Sequence, residues 1–132
     1  MNLFFCALLN EVFDWNLLNA NGLLSRNQDS FDLFDEGNEI AVQVTTTTDA
    51  RKIRATLRTF VGRHEARFQR LVFLYPVLTM PKSKADFSGV LRSFDFNPSR
   101  DRLCLSDILV AAQDLDVERQ HALVPRERIS VA

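Results

Sequence analysis

Two short runs rich in apolar and β-prone residues, 31–34 and 40–47, stand on either side of Asp35, Glu36, Gly37 and Asn38, a turn-forming cluster. Such runs closed by such a cluster predict a β-hairpin, whose side chains alternate between its two faces. Ser30, Asp32 and Phe34 then share one face of the first strand, and Ala41, Gln43 and Thr45 share one face of the second. Ile40, Val42 and Val44 point the other way, into a core. The short turn brings Asp32 toward Gln43 on a common polar face. A carboxylate inside a sheet is costly unless it is paired or holds a cation, so the hairpin is also the first candidate site. The competing reading leaves Asp32 in water at a strand end and Gln43 bonded to a neighbouring backbone.

The rest of the chain supplies elements to flank this hairpin. Leu3, Phe4, Ala7, Leu8, Val12 and Trp15 recur at spacings of three and four and predict an amphipathic helix over residues 1–15, ending near Asn16. Residues 19–30 read as a loop. Asp49 is placed to cap a helix over residues 50–61, with Ile53, Leu57, Phe60 and Val61 on its apolar face and Gly62 as its terminator. Residues 70–75 form a continuous apolar run suited to a buried strand. Residues 82–89 read as a polar connection, 91–96 as a further strand, and Asn97, Pro98 and Ser99 as a turn. Ser106 or Asp107 heads a helix through Gln113, and Asp116 heads another through Val124, which Pro125 ends. The expectation is one α/β domain over residues 1–125, a mixed sheet with a central β-hairpin flanked by helices, followed by a loosely held tail, 126–132.

At 132 residues the chain is long enough to bury a core, and 46% apolar with 25% charged residues is an ordinary globular balance. Eleven phenylalanines beside one Trp and one Tyr imply an aromatic core. Cys6 and Cys104 are far apart and lack metal-ligand spacing, which suggests free, buried thiols in a reducing compartment. The apolar stretch at residues 1–9 is too short for a membrane span and has no basic flank, so the expectation is a cytoplasmic chain with no membrane partner. His64 and His121 are isolated and read as surface residues. No phosphate loop, zinc spacing or nucleophile elbow occurs.

A net charge of −1 conceals strong segregation. Residues 1–50 carry eight acidic side chains against Arg26, whereas residues 51–70 carry seven basic ones against Glu65. An acidic strand region followed by a basic helix suits a site that holds a cation and an anionic polymer together. The alternative is that the two segments are solvated faces that pair with each other. Metal-dependent phosphodiester hydrolysis needs a carboxylate and further oxygens to hold the ion, and a lysine to orient water and offset charge. Asp32, the Gln43 carbonyl oxygen and Lys52 are the candidates, with Asp32 and Gln43 as metal ligands, Mg²⁺ or Mn²⁺ as cofactor, and Arg51, Arg54, Arg58 and Arg63 as phosphate contacts. Lys52 as one more solvated charge is the competing view.

An aspartate on one strand, Gln on the next and a lysine after it resembles the PD-(D/E)XK nuclease superfamily in its Gln-bearing variants. The segments FFCALLN, WNLLNAN, RNQDSFDLFDEGNEIAVQVT, RKIRATLRTF, RLVFLYPV and DRLCLSDIL more closely resemble the SMEK domain family, over most of residues 4–115. That resemblance implies a restriction-endonuclease-like core in an N-terminal module of bacterial defence or conflict-system proteins. The chain departs from the pattern in two places. Family members usually have an acid before the FF pair and a longer segment ahead of it, where this chain has Asn2 or Leu3, so Glu11 is the only substitute inside the helix. Thr45 stands where the superfamily commonly has lysine. These departures favour a second reading, a catalytically empty module of the same fold that docks a partner protein or a second copy of itself.

Overall fold

The computed structural model describes residues 2–20, 31–81 and 94–116. Helix α1 (Asn2–Phe13) leads to β1 (Leu18–Asn19), β2 (Leu33–Asp35), β3 (Ile40–Val44), helix α2 (Ala50–His64), β4 (Arg70–Leu74) and β5 (Arg102–Leu103). A last helix, α3, runs over residues 105–116. The strands form one five-stranded sheet in chain order. β1, β2 and β3 are antiparallel neighbours, while β4 joins β3 and β5 joins β4 in parallel. A parallel pair cannot be closed by a tight turn, and α2 supplies the crossover between β3 and β4.

Each face of the sheet is covered by helices. Ile53, Leu57 and Phe60 of α2 pack with Phe31, Ala41 and Phe73 on one face. Phe5 and Leu9 of α1 and Ile108 of α3 pack with Leu33, Val42 and Val72 on the other. Seven of the ten described phenylalanines are buried, so the aromatic excess goes into the core, each ring contributing about 1.5–3 kcal/mol. Phe31 is a hub, edge-on to Phe60, Phe68 and His64 at 6.2, 5.4 and 5.0 Å between ring centres. His64 is therefore part of the core margin and not an isolated surface residue. No described helix is long and apolar enough to cross a membrane.

Several local expectations need correction. Helix α1 buries Phe5 and Leu9, while Leu3 and Phe4 are exposed. Only Asn2 among the first nine residues is polar, so the sequence offers no polar gap to mark the outer face. The helix stops at Phe13 because Asp14 turns left-handed, with φ 57°. Helix α2 passes through Gly62 to His64, and the His64 contact with Phe31 holds the added turn in place. The four threonines do not extend β3. The hydroxyl of Thr45 accepts from Thr47 N–H and that of Thr47 from Asp49 N–H, a competition with the ladder that leads the chain into the Asp49 cap of α2. β1 and β5, two residues each, have no counterpart in the expected strands. Residues 94–96 are irregular, with Phe94 packed on Phe60. Most of the 19–30 loop, the 82–89 connection, residues 91–93, the helix beyond Asp116 and the 126–132 tail lie outside the described residues.

Candidate functional site at the carboxyl end of the sheet

β2 runs against β3, so its first residues lie beside the carboxyl end of β3, and α2 begins just beyond that end after residues 45–49. Asp32, Gln43 and the first turn of α2, which carries Lys52, therefore gather at one end of the sheet. Open α/β sheets characteristically place ligands at the carboxyl ends of their parallel strands.

Asp32 brackets Gln43. Its N–H donates to the carbonyl of Val42 at 2.8 Å, and its Oδ2 accepts from the N–H of Val44 at 2.9 Å. Thr45 N–H donates to Leu74 of β4, so the preceding N–H, that of Val44, points toward β2. The Asp32 carboxylate thus occupies the ladder position that a backbone carbonyl would otherwise fill. Phe31 and Phe34, three residues apart, lie in the same apolar layer, so strand alternation breaks here as it does at a β-bulge. Burial pushes the Asp32 carboxyl above the usual carboxylate range, an effect that the Val44 bond offsets only in part. Val42 and Val44 belong to the layer under α1, so Gln43 stands on the α2 side with Ala41, half-buried.

Lys52 is exposed on the first turn of α2. At about 100° per residue, Arg51, Arg54 and Arg58 share one strip, with Arg51 and Arg58 exposed and Arg54 half-buried, whereas Lys52 and Arg63 fall on another flank. Arg67 pairs with Glu36 and lies over the rings of Phe34 and Phe68. By contrast, Arg51, Lys52, Arg54 and Arg58 make no ion pair among the described residues, so mutual neutralisation of the acidic and basic segments leaves this strip uncompensated. Glu11 is not brought to Asp32. It follows Asn10, whose side chain binds both the N–H and the carbonyl of Leu17, and Leu17 lies at the Asp35 end of the sheet. Thr45 has its hydroxyl engaged by Thr47. Among the described residues no three His, Cys, Asp or Glu side chains converge as a metal cluster.

Asp35 lies at the opposite end of the sheet, and Asp101, one residue before Arg102 and level with Val72, turns its carboxylate back toward that end to Arg70; sequence reasoning singled out neither of these buried carboxylates. Asp35 accepts from Asn16 N–H, Asn38 N–H and the Asn38 amide at 2.8, 3.1 and 2.6 Å. Burial alone would raise its carboxyl, but these bonds hold it below the usual range. Asp101, fully buried, accepts from Arg70, Arg100 and Asn97 N–H, and the same balance holds its carboxyl down. A cavity of about 570 Å³ lies at this end, lined by residues that include Asn38, Arg70, Asp95 and Arg100. Its charged walls already pair with one another, so the strand topology, and not this cavity, marks the candidate site.

Two further residues at the carboxyl end escaped the sequence reading. Gln43, Phe73 and Arg102 are in register across three parallel strands. Leu103 packs in the layer under α1, so Arg102 faces α2, and its guanidinium lies 5.2 Å from the ring centre of Tyr75. The Tyr75 hydroxyl, Arg102 Nε and Nη2, and Arg54 Nε are buried without a hydrogen-bond partner among the described residues. The available signals were an arginine directly ahead of the short apolar run Leu103, Cys104 and Leu105, and a lone tyrosine ending an apolar strand. Both thiols are free, Cys104 buried and Cys6 half-buried with its Sγ 3.0 Å from the Leu17 carbonyl.

Comparison with curated proteins and with solved structures gives no match. Comparison with protein families matches the SMEK domain over residues 1–113, which takes in every described strand and both complete described helices. The chain is thus a member of the SMEK domain family.

Proposed function

We propose that this SMEK domain is built on a restriction-endonuclease-like core and engages nucleic acid at the carboxyl end of its sheet, as a module of a bacterial defence or conflict-system protein. The observation that carries the reading is Asp32 bracketing Gln43 beside a helix whose Arg51, Lys52, Arg54 and Arg58 lack acidic partners among the described residues. A mixed sheet with a central β-hairpin flanked by helices is the arrangement that the nuclease resemblance implies. Mg²⁺ commonly uses one or two carboxylates, with water and substrate phosphates completing its shell. Asp32 Oδ1, which makes no hydrogen bond with a described residue, and the Gln43 carbonyl oxygen fit that minimal requirement. A bound Mg²⁺ or Mn²⁺ would polarise a phosphoryl oxygen. With Glu11 at the other end of the sheet, binding is the main activity and cleavage depends on Asp32, Gln43 and Lys52 alone. The test is DNA and RNA binding at low salt, together with cleavage in Mg²⁺ or Mn²⁺, comparing wild type with Asp32→Ala. No binding of either polymer sinks the reading; cleavage equal in both proteins belongs to another site or another protein.

One observation favours the second reading, self-association. Phe4, Leu8, Leu78, Leu105, Leu109 and Ala112 line an almost wholly apolar groove of about 350 Å³. Apart from Leu18, every exposed large hydrophobic among the described residues lines this groove or adjoins in sequence a residue that does. A patch of this make-up, with exposed apolar area on the order of 500 Å², approaches the apolar share of one side of a standard interface of about 800 Å² per partner. A second copy of the chain is the occupant that this patch fits. Sedimentation of the wild type and of Phe4→Ser with Leu109→Ser tests it, and a wild-type monomer at all concentrations would exclude it.

A further inference from the structure

We propose that Arg102 and Tyr75 form an oxyanion site that takes a phosphate group. A guanidinium keeps its charge at any working pH and offers only donors, so burying two of its N–H groups without an acceptor is unfavourable unless a ligand supplies one. Arg102 does this with both Nε and Nη2, and the hydroxyl of Tyr75, a residue only 1% exposed whose ring the guanidinium approaches, likewise has no partner among the described residues. The guanidinium carbon lies 5.2 Å from the Tyr75 ring centre, a cation–π contact, and the guanidinium's planar fork has the bidentate geometry that suits phosphate oxygens. No acid competes from the adjoining residue, since Asp101 is committed to Arg70 and Arg100. Arg54, with its own unbonded Nε, lies in the second turn of α2 over the same face, which adds positive charge at that end.

The site stands apart from Asp32, two strands from Gln43 along the same row, or about 10 Å at the usual strand spacing. The proposal rests on the nucleic-acid reading only for the source of the phosphate.

Tyr75 is the sole tyrosine, so isotope labelling of tyrosine gives one ring signal by NMR. Titration of the full chain with inorganic phosphate is expected to move that signal saturably, while chloride and acetate at matched ionic strength do not. Arg102→Met is expected to weaken the response by at least about tenfold. No saturable response in wild type, an equal response to acetate, or an unchanged response in Arg102→Met overturns the proposal. Should Arg102→Met fail to fold, Arg102→Lys is measured instead. It keeps the charge but loses the fork, and is again expected to bind phosphate more weakly; unchanged binding overturns the proposal. A labelled oligonucleotide then separates the sources. Competition by phosphate, with weakened oligonucleotide binding in Arg102→Met, assigns a phosphodiester. Phosphate binding without competition assigns a free phosphate and counts against the nucleic-acid reading alone. Oligonucleotide binding without any phosphate response leaves that reading intact and overturns this one.

Discussion

Replacing Asp32 by Asn and by Ala separates the two things its carboxylate does. As an acceptor, Oδ2 satisfies the half-buried Val44 N–H at 2.9 Å, and Asp32→Ala leaves that donor orphaned, which costs about 1–2 kcal/mol. For a chain of this size that is a fall in Tm of roughly 3–10 °C. As a charge, the carboxylate is disfavoured by burial, and its folded pKa is raised. A raised carboxyl pKa contributes stability that is fully present below the unfolded value of about 3.9 and is lost as pH rises through the folded value. Asp32→Asn keeps an oxygen for Val44 and removes the ionisation. At pH 7 with a chelator present it is therefore expected to match or exceed the wild type, with the gap in its favour widening from pH 4 to pH 7. Urea unfolding followed by the single tryptophan, Trp15, which stacks on Phe13, measures all three proteins. Added Mg²⁺ is expected to stabilise only the wild type, by about 1.4 kcal/mol at tenfold excess over Kd. If Asp32→Asn is as unstable as Asp32→Ala in the chelated state, the charge is already stabilised inside the fold and the reasoning fails.

Gly62→Ala is expected to raise stability by about 0.5–1 kcal/mol, since a methyl group added at this helical position meets no atom within 4 Å; a loss on urea unfolding would contradict the open placement. Asp101→Ala is expected to cost about 2–4 kcal/mol, below the full penalty for a broken buried pair because the side chains of Arg70 and Arg100 keep 26% and 42% of their exposure. The folded pKa values of Asp101 and Asp35 are depressed, so their contribution is present above about pH 3.9 and lost as pH falls further; acid unfolding of the wild type below that pH, with a shallower acid limb in Asp101→Ala, checks the sign. Arg51→Gln with Arg58→Gln is expected to make the salt dependence of duplex DNA binding shallower by about 2 in log–log slope, and an unchanged slope would remove these residues from the interface.

The hairpin, the buried β4 strand and the capped basic helix were legible because each carries a strong local signal: a turn cluster between β-prone runs, a continuous apolar run, and Asp49 ahead of Ile53, Leu57 and Phe60. β1 and β5 were not, since two-residue strands exist only by pairing with a neighbour and have no period of their own. The neighbourhood of Asp32 and Gln43 followed from strand register, but the direction of the carboxylate did not. That depends on a break in alternation between Phe31 and Phe34 that no local pattern announces. Arg102 was hidden for a related reason: its place in the row with Gln43 follows from two parallel pairings made across nearly 60 residues of chain.

The buried polar groups of the sheet fall into two kinds, and that contrast is the strongest physical ground for placing function beside one of them. Asp35 and Asp101 each receive at least three hydrogen bonds, and both are held ionised by partners from neighbouring segments. Such groups fix the turn after β2 and the entry to β5. At the carboxyl end, Asp32 has one oxygen bonded among the described residues and a raised pKa, while Arg102 and Tyr75 have buried donors with no acceptor among those residues. Unsatisfied buried polar atoms are rare in folded proteins and each lowers stability, so a cluster of them calls for a ligand or ordered water to complete it. The groups left incomplete are complementary to one ligand type: an under-bonded carboxylate suits a cation, and unpaired guanidinium and phenol donors suit an oxyanion. Because β2 and β5 are three strand spacings apart, about 14 Å, these are two separate points of contact, which one polyanion with its counter-cation would have to span.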